Sequence, residues 1–331
     1  MLSIIAVPFG YLMRGLYYIF NNYALSIFFF TIIIKLILLP LSIKQQKSQT
    51  LMARMRPYEM KIRQKYRSDP AKAKEELDAL YQSEGYSPYS GCLTSLLQLP
   101  IFLGLYEVIR YPLRYIAGVS TAITGILSGG NASVNADLIY AVKPLTEWPA
   151  KAVEGLSEAT KGMLPLNLDL FGIDLTQSAS AKDPSLLWIF PILSGLTALL
   201  MQIVMIKINE KNSGQKQGGM GMMLFMPLFS VFIGFAVPAA LVFYWIVSNV
   251  VSTVQSVVLG KYYTVERVLR IRAKKKAKKG ESVTKEEANI LIKHEDYTVE
   301  EIAPKSAKEL KEEARRKLAE ARRREEEEWR E

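Results

Sequence analysis

The sequence predicts an all-α polytopic membrane protein: five transmembrane helices bundled around a hydrophilic groove that opens to the cytoplasm. Three observations carry that expectation. Hydrophobic residues make up 50% of the 331-residue chain, and they gather into blocks of about 20 with few charges, the length a bilayer core requires. The polar stretches between the blocks alternate in their content of Lys and Arg. Inside the blocks, amides, hydroxyls and one ammonium recur at a single depth.

Residues 1–22 begin "MLSIIAVPFGYLMRGLYYIF", apolar but interrupted by Pro8, Gly10 and Arg14, with Tyr17 and Tyr18 suited to a headgroup region. This predicts an amphipathic helix lying on the membrane; a sixth span is the alternative. A basic leader region and a small-residue cleavage site are both missing, so the start reads as a mature start. The five spans are placed at Tyr23–Ser42, Gly91–Tyr111, Leu186–Ile206, Met220–Val237 and Ala239–Gly260.

Between the first two spans, segment 43–90 is too polar for lipid but helical in period. Leu51, Met55, Tyr58, Ile62 and Tyr66 form one stripe, "SDP" breaks it, and Ala73, Leu77 and Leu80 resume it. A cytoplasmic helical hairpin follows, kinked at Pro57. The outer segment 112–185 shows less order, with "SGGNAS" near Gly129 and an apolar "LPLNLDLFGIDL" ahead of the third span. A short loop, 207–219, joins the third and fourth spans, and Pro238 marks the turn between the last two. The tail 261–331 carries eight basic residues and no acid from Arg267 to Lys279, then alternating charge from Glu309 to Glu331. That basic run suits anionic lipid headgroups or ribosomal RNA, or serves as a plain positive-inside anchor.

Lys and Arg set the orientation. Segment 44–90 holds ten against six acids, 207–219 holds three, and the tail after Gly260 holds 21. These sides are predicted cytoplasmic. Segment 112–185 holds five against seven acids, so the N-terminus is expected outside and the C-terminus inside. Cys92 is the only cysteine, which leaves no intrachain disulfide; it reads as a small membrane-helix residue.

Lys35 interrupts "FFFTIIIKLILLPL", where a charge costs roughly 3 kcal/mol on insertion scales. It lies seven residues from the cytoplasmic end of its span. The same depth falls at Gln98 in the second span, between Thr197 and Gln202 in the third, and across Asn249, Ser252, Thr253, Gln255 and Ser256 in the fifth. Polar groups at one level are expected to face inward. Aspartate and glutamate are missing from the spans apart from Glu107, near the opposite face with Arg110. Lys35 either snorkels to the headgroups or stands in water inside a pocket; only the pocket accounts for the other polar residues.

Elimination narrows the chemistry. His294, the one histidine, lies in the tail, and the chain has no HExxH, no paired intramembrane aspartates, no phosphate-binding glycine loop and no cysteine pair. No catalytic residues, cofactor or metal are expected. A Ser–Lys dyad through Lys35 has no marked serine, and a transporter usually shows internal repeats that these spans lack. What remains is a wet groove that receives polar peptide while its apolar walls receive apolar peptide. The candidate groove residues are Lys35, Gln98, Thr197, Gln202, Asn249, Ser252 and Gln255.

Four stretches carry a family resemblance. "GCLTSLLQLPIFLGLYEVIR" at Gly91–Arg110 resembles the second core span of the YidC/Oxa/Alb membrane protein insertases, "FGIDLTQSASAKDPSLLWIFPILSGLTALLMQ" at Phe171–Gln202 their third and "MPLFSVFIGFAVPAALVFYWIVSNVVSTVQ" at Met226–Gln255 their closing hairpin; with "TIIIKLILLPLSIKQQKS" at Thr31–Ser48 the resemblance covers all five spans in chain order. The resemblance implies a five-helix bundle whose groove is closed outside and open to cytoplasm and lipid. It implies nascent membrane proteins as substrates, taken alone or beside the Sec translocon. The groove cation of that family is typically arginine, whereas this chain has Lys35, which keeps the charge and loses the bidentate fork. The runner-up reading is an assembly chaperone or scaffold that does not insert its clients.

Overall fold

A computed structural model describes residues 2–83, 92–129, 134–215, 220–279 and 286. The expectations for residues 130–133 of the "SGGNAS" stretch and for the charge-alternating tail lie outside these residues. Two compact units divide the chain, Met1–Tyr263 and Thr264–Glu331.

In the first unit, α1 (Leu2–Phe20) stops where Asn21 turns left-handed (φ 46°), and Asn22 then caps α2 (Tyr23–Ile37) by accepting from Leu25 N at 3.0 Å. Two adjacent asparagines thus supply one helix stop and one helix start, each by the property that suits it. The next helix, α3 (Leu39–Lys65), leaves α2 with a bend of 61° at Leu38. Pro40 is the cause: its ring would collide with the carbonyl four residues back, but it is tolerated in a first turn whose N–H groups are free. The predicted first span, Tyr23–Ser42, therefore crosses a break, and the predicted hairpin arm starts inside a helix that runs unbroken to Lys65 through Pro57.

The hairpin closes with α4 (Pro70–Ser83), capped by Asp69 accepting from Lys72 N at 3.0 Å. Met55, Ala53, Ala73 and Leu77 are buried along these two helices, and Tyr66 and Tyr81 donate to Glu76 and Glu59, both at 3.1 Å. Tyr58, which the periodicity places on the seam, is 53% exposed.

Next comes α5 (Cys92–Arg110), then a π-helical turn at Leu113–Ala117. The outer segment is more regular than its sequence suggests. It forms α6 (Thr121–Leu127), α7 (Val134–Val142), α8 (Ala150–Glu154), α9 (Glu158–Met163) and a two-stranded hairpin, β1 (Asp169–Leu170) with β2 (Ile173–Asp174). Phe171 and Gly172 both have positive φ at the hairpin tip, the backbone that a tight two-residue turn demands.

The bundle finishes with α10 (Ile189–Ser213), α11 (Met220–Gly234) and α12 (Ala239–Tyr262). Its buried core draws on α1, α2, α5, the outer segment and α12, with Tyr17, Tyr23, Phe30, Leu105, Ile116 and Tyr244 among the largest enclosed side chains. Gly104 lets α1 approach α5, since a Cβ there would strike Ile5 and Phe9. Outside, Leu186, Leu196, Leu200, Leu228 and Phe232 stand more than half exposed, the apolar coat a lipid-facing surface needs.

This is an all-α membrane protein. Among the described residues, Leu186–Ser213 and Ala239–Tyr262 are each long and apolar enough to cross a bilayer, and the bent pair Tyr23–Lys65 makes a third if taken as one span. The other two expected spans correspond to α5, of 19 residues, and α11, of 15. The second unit carries α13 (Val265–Lys279), with Glu266 in its first turn and three lysines in its last, the order that complements a helix dipole.

Candidate functional site

Lys35 sits three residues before the break at Leu38, and Ser252 lies thirteen residues into α12, about 20 Å from the start of that helix at the helical rise. Their helices pack together, and Lys35 Nζ donates to Ser252 Oγ at 2.7 Å. The ammonium thus has a neutral hydroxyl as its partner, which satisfies one of three donors and leaves the charge uncompensated.

Beside this pair opens a cavity of about 640 Å³. Its polar wall consists of Lys35, Ser42, Gln45, Gln46 and Gln49 from α2 and α3, and Ser252, Gln255 and Ser256 from α12. Its apolar wall includes Ile101 and Phe102 from α5, Met201 and Met205 from α10, Ile233 from α11 and Trp245 from α12. Toward the end of the bundle where α12 begins, Phe102 and Trp245 stack with centroids 5.4 Å apart. An aromatic lid on one side and glutamines on the other make the cavity amphipathic along its length.

The structure sorts the seven sequence candidates. Lys35, Ser252 and Gln255 share the cavity. Thr197 and Asn249 meet each other instead, Asn249 Nδ2 donating to Thr197 Oγ1 at 3.3 Å between α12 and α10. Neither these two nor Gln202 belongs to the cavity lining. Depth matching places a residue at a level but not on a face. Gln98 lies on α5, where its side chain is outside the described residues.

Sequence reasoning missed Ser42, Gln45, Gln46 and Gln49. Their spacing from Lys35 is seven, then three, four and seven more, so one helical face carries the polar series across the bend. The signal was available. Neighbouring Lys44 and Lys47 drew that stretch into the hairpin instead.

At the outer end, polar groups are bonded to backbone. Arg14 donates through Nε to Ile116 O at 2.9 Å and through Nη2 to the carbonyls of Arg114 and Tyr115 at 3.3 and 3.4 Å. Asp137 accepts from Leu113 N at 2.8 Å, and burial pushes its carboxyl up to about 7, against the opposing pull of that N–H and of Arg114. The first N–H groups of α12, at Ala239 and Ala240, donate to Gln177 O and Leu175 O, each at 2.8 Å. The outer segment therefore caps the bundle.

A bundle of this kind, with a lone ammonium in a cavity bounded by glutamines and methionines, is matched in sequence by known proteins. Residues 15–266 match the family described as 60Kd inner membrane protein. The chain belongs to that family. It is similar to a protein named membrane protein insertase YidC from Clostridium perfringens (strain 13 / Type A), 31% identical over 258 residues, which are 77% of this chain and 83% of that one. It is similar to proteins of the same name from Maridesulfovibrio salexigens, 31% identical over 253 residues, and Granulibacter bethesdensis, 30% identical over 262. The matched parts are 76% and 78% of this chain and 37% of each of those two relatives. Family membership makes the chain a multi-pass cell membrane protein.

Proposed function

We propose that the protein is a non-enzymatic membrane protein insertase that receives nascent hydrophobic segments from the cytoplasm and releases them into the bilayer. The observation that carries the reading is the cavity itself: a polar wall of eight residues including Lys35 on one side, Met201, Met205 and the aromatic pair on the other. The groove is proposed to be open to cytoplasm and lipid, within five spans, with the N-terminus outside and α1 at the outer interface.

A client segment docks on the hairpin of α3 and α4, and its short polar end enters the cavity, where glutamine amides and hydroxyls replace lost water. Its apolar stretch moves along the exposed leucines of α10 and α11 into lipid. Burial of some 20 apolar residues drives the step, and Lys35 draws acidic flanks by an attraction that cavity water weakens. Nascent membrane proteins are the partners; the Sec translocon, the ribosome through the basic tail, and anionic lipids are further proposed ones.

The test is insertion of a short single-span substrate into liposomes holding only the purified protein. Insertion above protein-free liposomes, without ion leakage, is expected. Ion passage without substrate would make the protein a channel, and client binding without insertion would favour an assembly chaperone.

A further inference from the structure

A second cavity, of about 400 Å³, lies at the outer end between α1 and the π-helical turn, lined by Val7, Gly10, Tyr11, Arg14, Arg114 and Tyr115. Two guanidiniums face one small space there. Arg14 holds three carbonyls through Nε and Nη2, which leaves Nη1 without a hydrogen bond among the described residues. The Arg114 guanidinium rests over the rings of Tyr111 and Tyr115, at 6.0 and 5.9 Å. Among the described residues neither arginine forms an ion pair. The nearby acids are Glu107, close enough to act on the Tyr115 hydroxyl, and Asp137, which is buried against Leu113 N and feels Arg114.

The surroundings specify the ligand further. Arg114 follows the outer end of α5 by four residues, and Tyr11 lies under the Arg14 guanidinium as Tyr111 lies under that of Arg114, the amphipathic rings that an interface favours. From the cavity one face of α1 descends through Tyr11, Val7 and Ile4, which are 67%, 44% and 76% exposed. Ile5 packs at Gly104, six residues below the end of α5, or about 9 Å deeper. A free anion would occupy the arginines and leave that apolar face bare; a phospholipid covers both.

We infer that Arg14 and Arg114 hold the phosphodiester of an anionic phospholipid of the outer leaflet, whose acyl chain lies along Tyr11, Val7 and Ile4 of α1. Charge-assisted bonds from two guanidiniums suit a phosphate oxygen pair. The unpaired charge selects a lipid with net negative charge over a zwitterion.

The test uses the full chain carrying Cys92→Ser and Val7→Cys, labelled with bimane, in phosphatidylcholine vesicles. These contain spin-labelled phosphatidylglycerol or spin-labelled phosphatidylcholine at equal mole fraction. Quenching by the anionic lipid is expected to exceed the other roughly fivefold, the ratio that about 1 kcal/mol from one basic residue, Arg114, at an anionic surface gives, the Arg14 guanidinium being already shared with three carbonyls. Arg114→Gln should abolish most of the preference and Arg114→Lys should restore much of it, so that a folding defect is distinguished from loss of charge. A label at Leu228→Cys, on the lipid-facing side of α11, should show no preference. Equal quenching by both lipids, preference surviving Arg114→Gln, or the same preference at Leu228 would overturn the assignment. Abolition by millimolar inorganic phosphate would also overturn it, in favour of a free-anion site.

Discussion

The two ends of the bundle use their polar residues in opposite ways. At the outer end Arg14, Asp137, Leu175 and Gln177 are bonded to backbone groups of neighbouring elements. At the inner end Gln45, Gln49, Gln255 and Ser256 border an open cavity, and Lys35 has a hydroxyl for its partner. Polar groups bonded to the backbone of neighbouring elements hold those elements together, while unsaturated ones around a cavity keep hydrogen-bonding capacity free. The difference lies in what the polar groups face: the backbone of a neighbouring element at one end, an open cavity at the other.

The largest effect is expected from reversing the charge at the receiving end. At an effective dielectric of about 20, a carboxylate ~8 Å from Lys35 gains about 2 kcal/mol, and Lys35→Glu turns that gain into a similar penalty. The change is about 4 kcal/mol, so insertion of a substrate with acidic flanks should slow by up to about a thousandfold, since each 1.4 kcal/mol or so is a factor of ten. Substrates with short neutral tails should suffer less, and Lys35→Arg should be tolerated. Equal slowing of acidic and neutral substrates would mean that the ammonium acts on the fold and not on the client.

The matching break at the closed end is Arg14→Ala. It strips a charged donor from carbonyls at Arg114, Tyr115 and Ile116, of which Ile116 is fully buried. Hydrogen bonds to charged groups are worth about 1.5–3 kcal/mol, so thermal unfolding in detergent should shift downward by that order. Insertion by the surviving folded fraction should stay near normal. A large loss of activity without loss of stability would show that the outer end takes part in reception.

How much of this was legible in the chain depends on whether an interaction is local. Lys35 and Ser252 could be matched because depth along two helices is counted residue by residue, and the structure joins them. Thr197 and Asn249 were counted equally well, yet they turn to one another, because facing depends on packing that no depth count contains. The break at Leu38 was written in Pro40, and Gln45 and Gln49 were hidden only by the neighbouring Lys44 and Lys47. The outer segment was harder. Its helices run five to nine residues, too short for a period to show, although Ser120 and Ser157 announce two of them as caps. The Asp137 bond to Leu113 spans 24 positions through a π-helical turn, and no local pattern encodes it.

Cysteine accessibility sharpens the comparison within the inner half. In a Cys92→Ser background, cysteines at Gln49, Ser252 and Ser256 should react with a membrane-impermeant thiol reagent from the cytoplasmic side, because all three border the cavity. A cysteine at Thr197, engaged with Asn249 and away from the lining, should react several times more slowly. Comparable rates at Thr197 and Ser252 would mean that the cavity extends between α10 and α12. Labelling from the outside would contradict a lid at Phe102 and Trp245.

The smallest effect concerns pH at the closed end. Burial raises the Asp137 carboxyl to about 7 in the folded chain, above the ordinary carboxylate value of about 4 in the unfolded one. The folded state therefore binds more protons than the unfolded state across that interval, so the Asp137 contribution is fullest below about pH 4 and is lost as pH rises toward 7. Asp137→Asn keeps an oxygen for Leu113 N–H and removes the titration. Comparing melting temperatures of the two proteins at pH 5 and pH 8, the wild type should lose ground relative to Asp137→Asn as pH rises, by about 2–4 °C for each kcal/mol involved. The difference between variants matters, because every other titrating group is common to both. If the gap between them does not change with pH, or if Asn is the less stable at pH 8, then Asp137 is held ionised by Arg114 and the N–H of Leu113, and the outer cap rests on a charge.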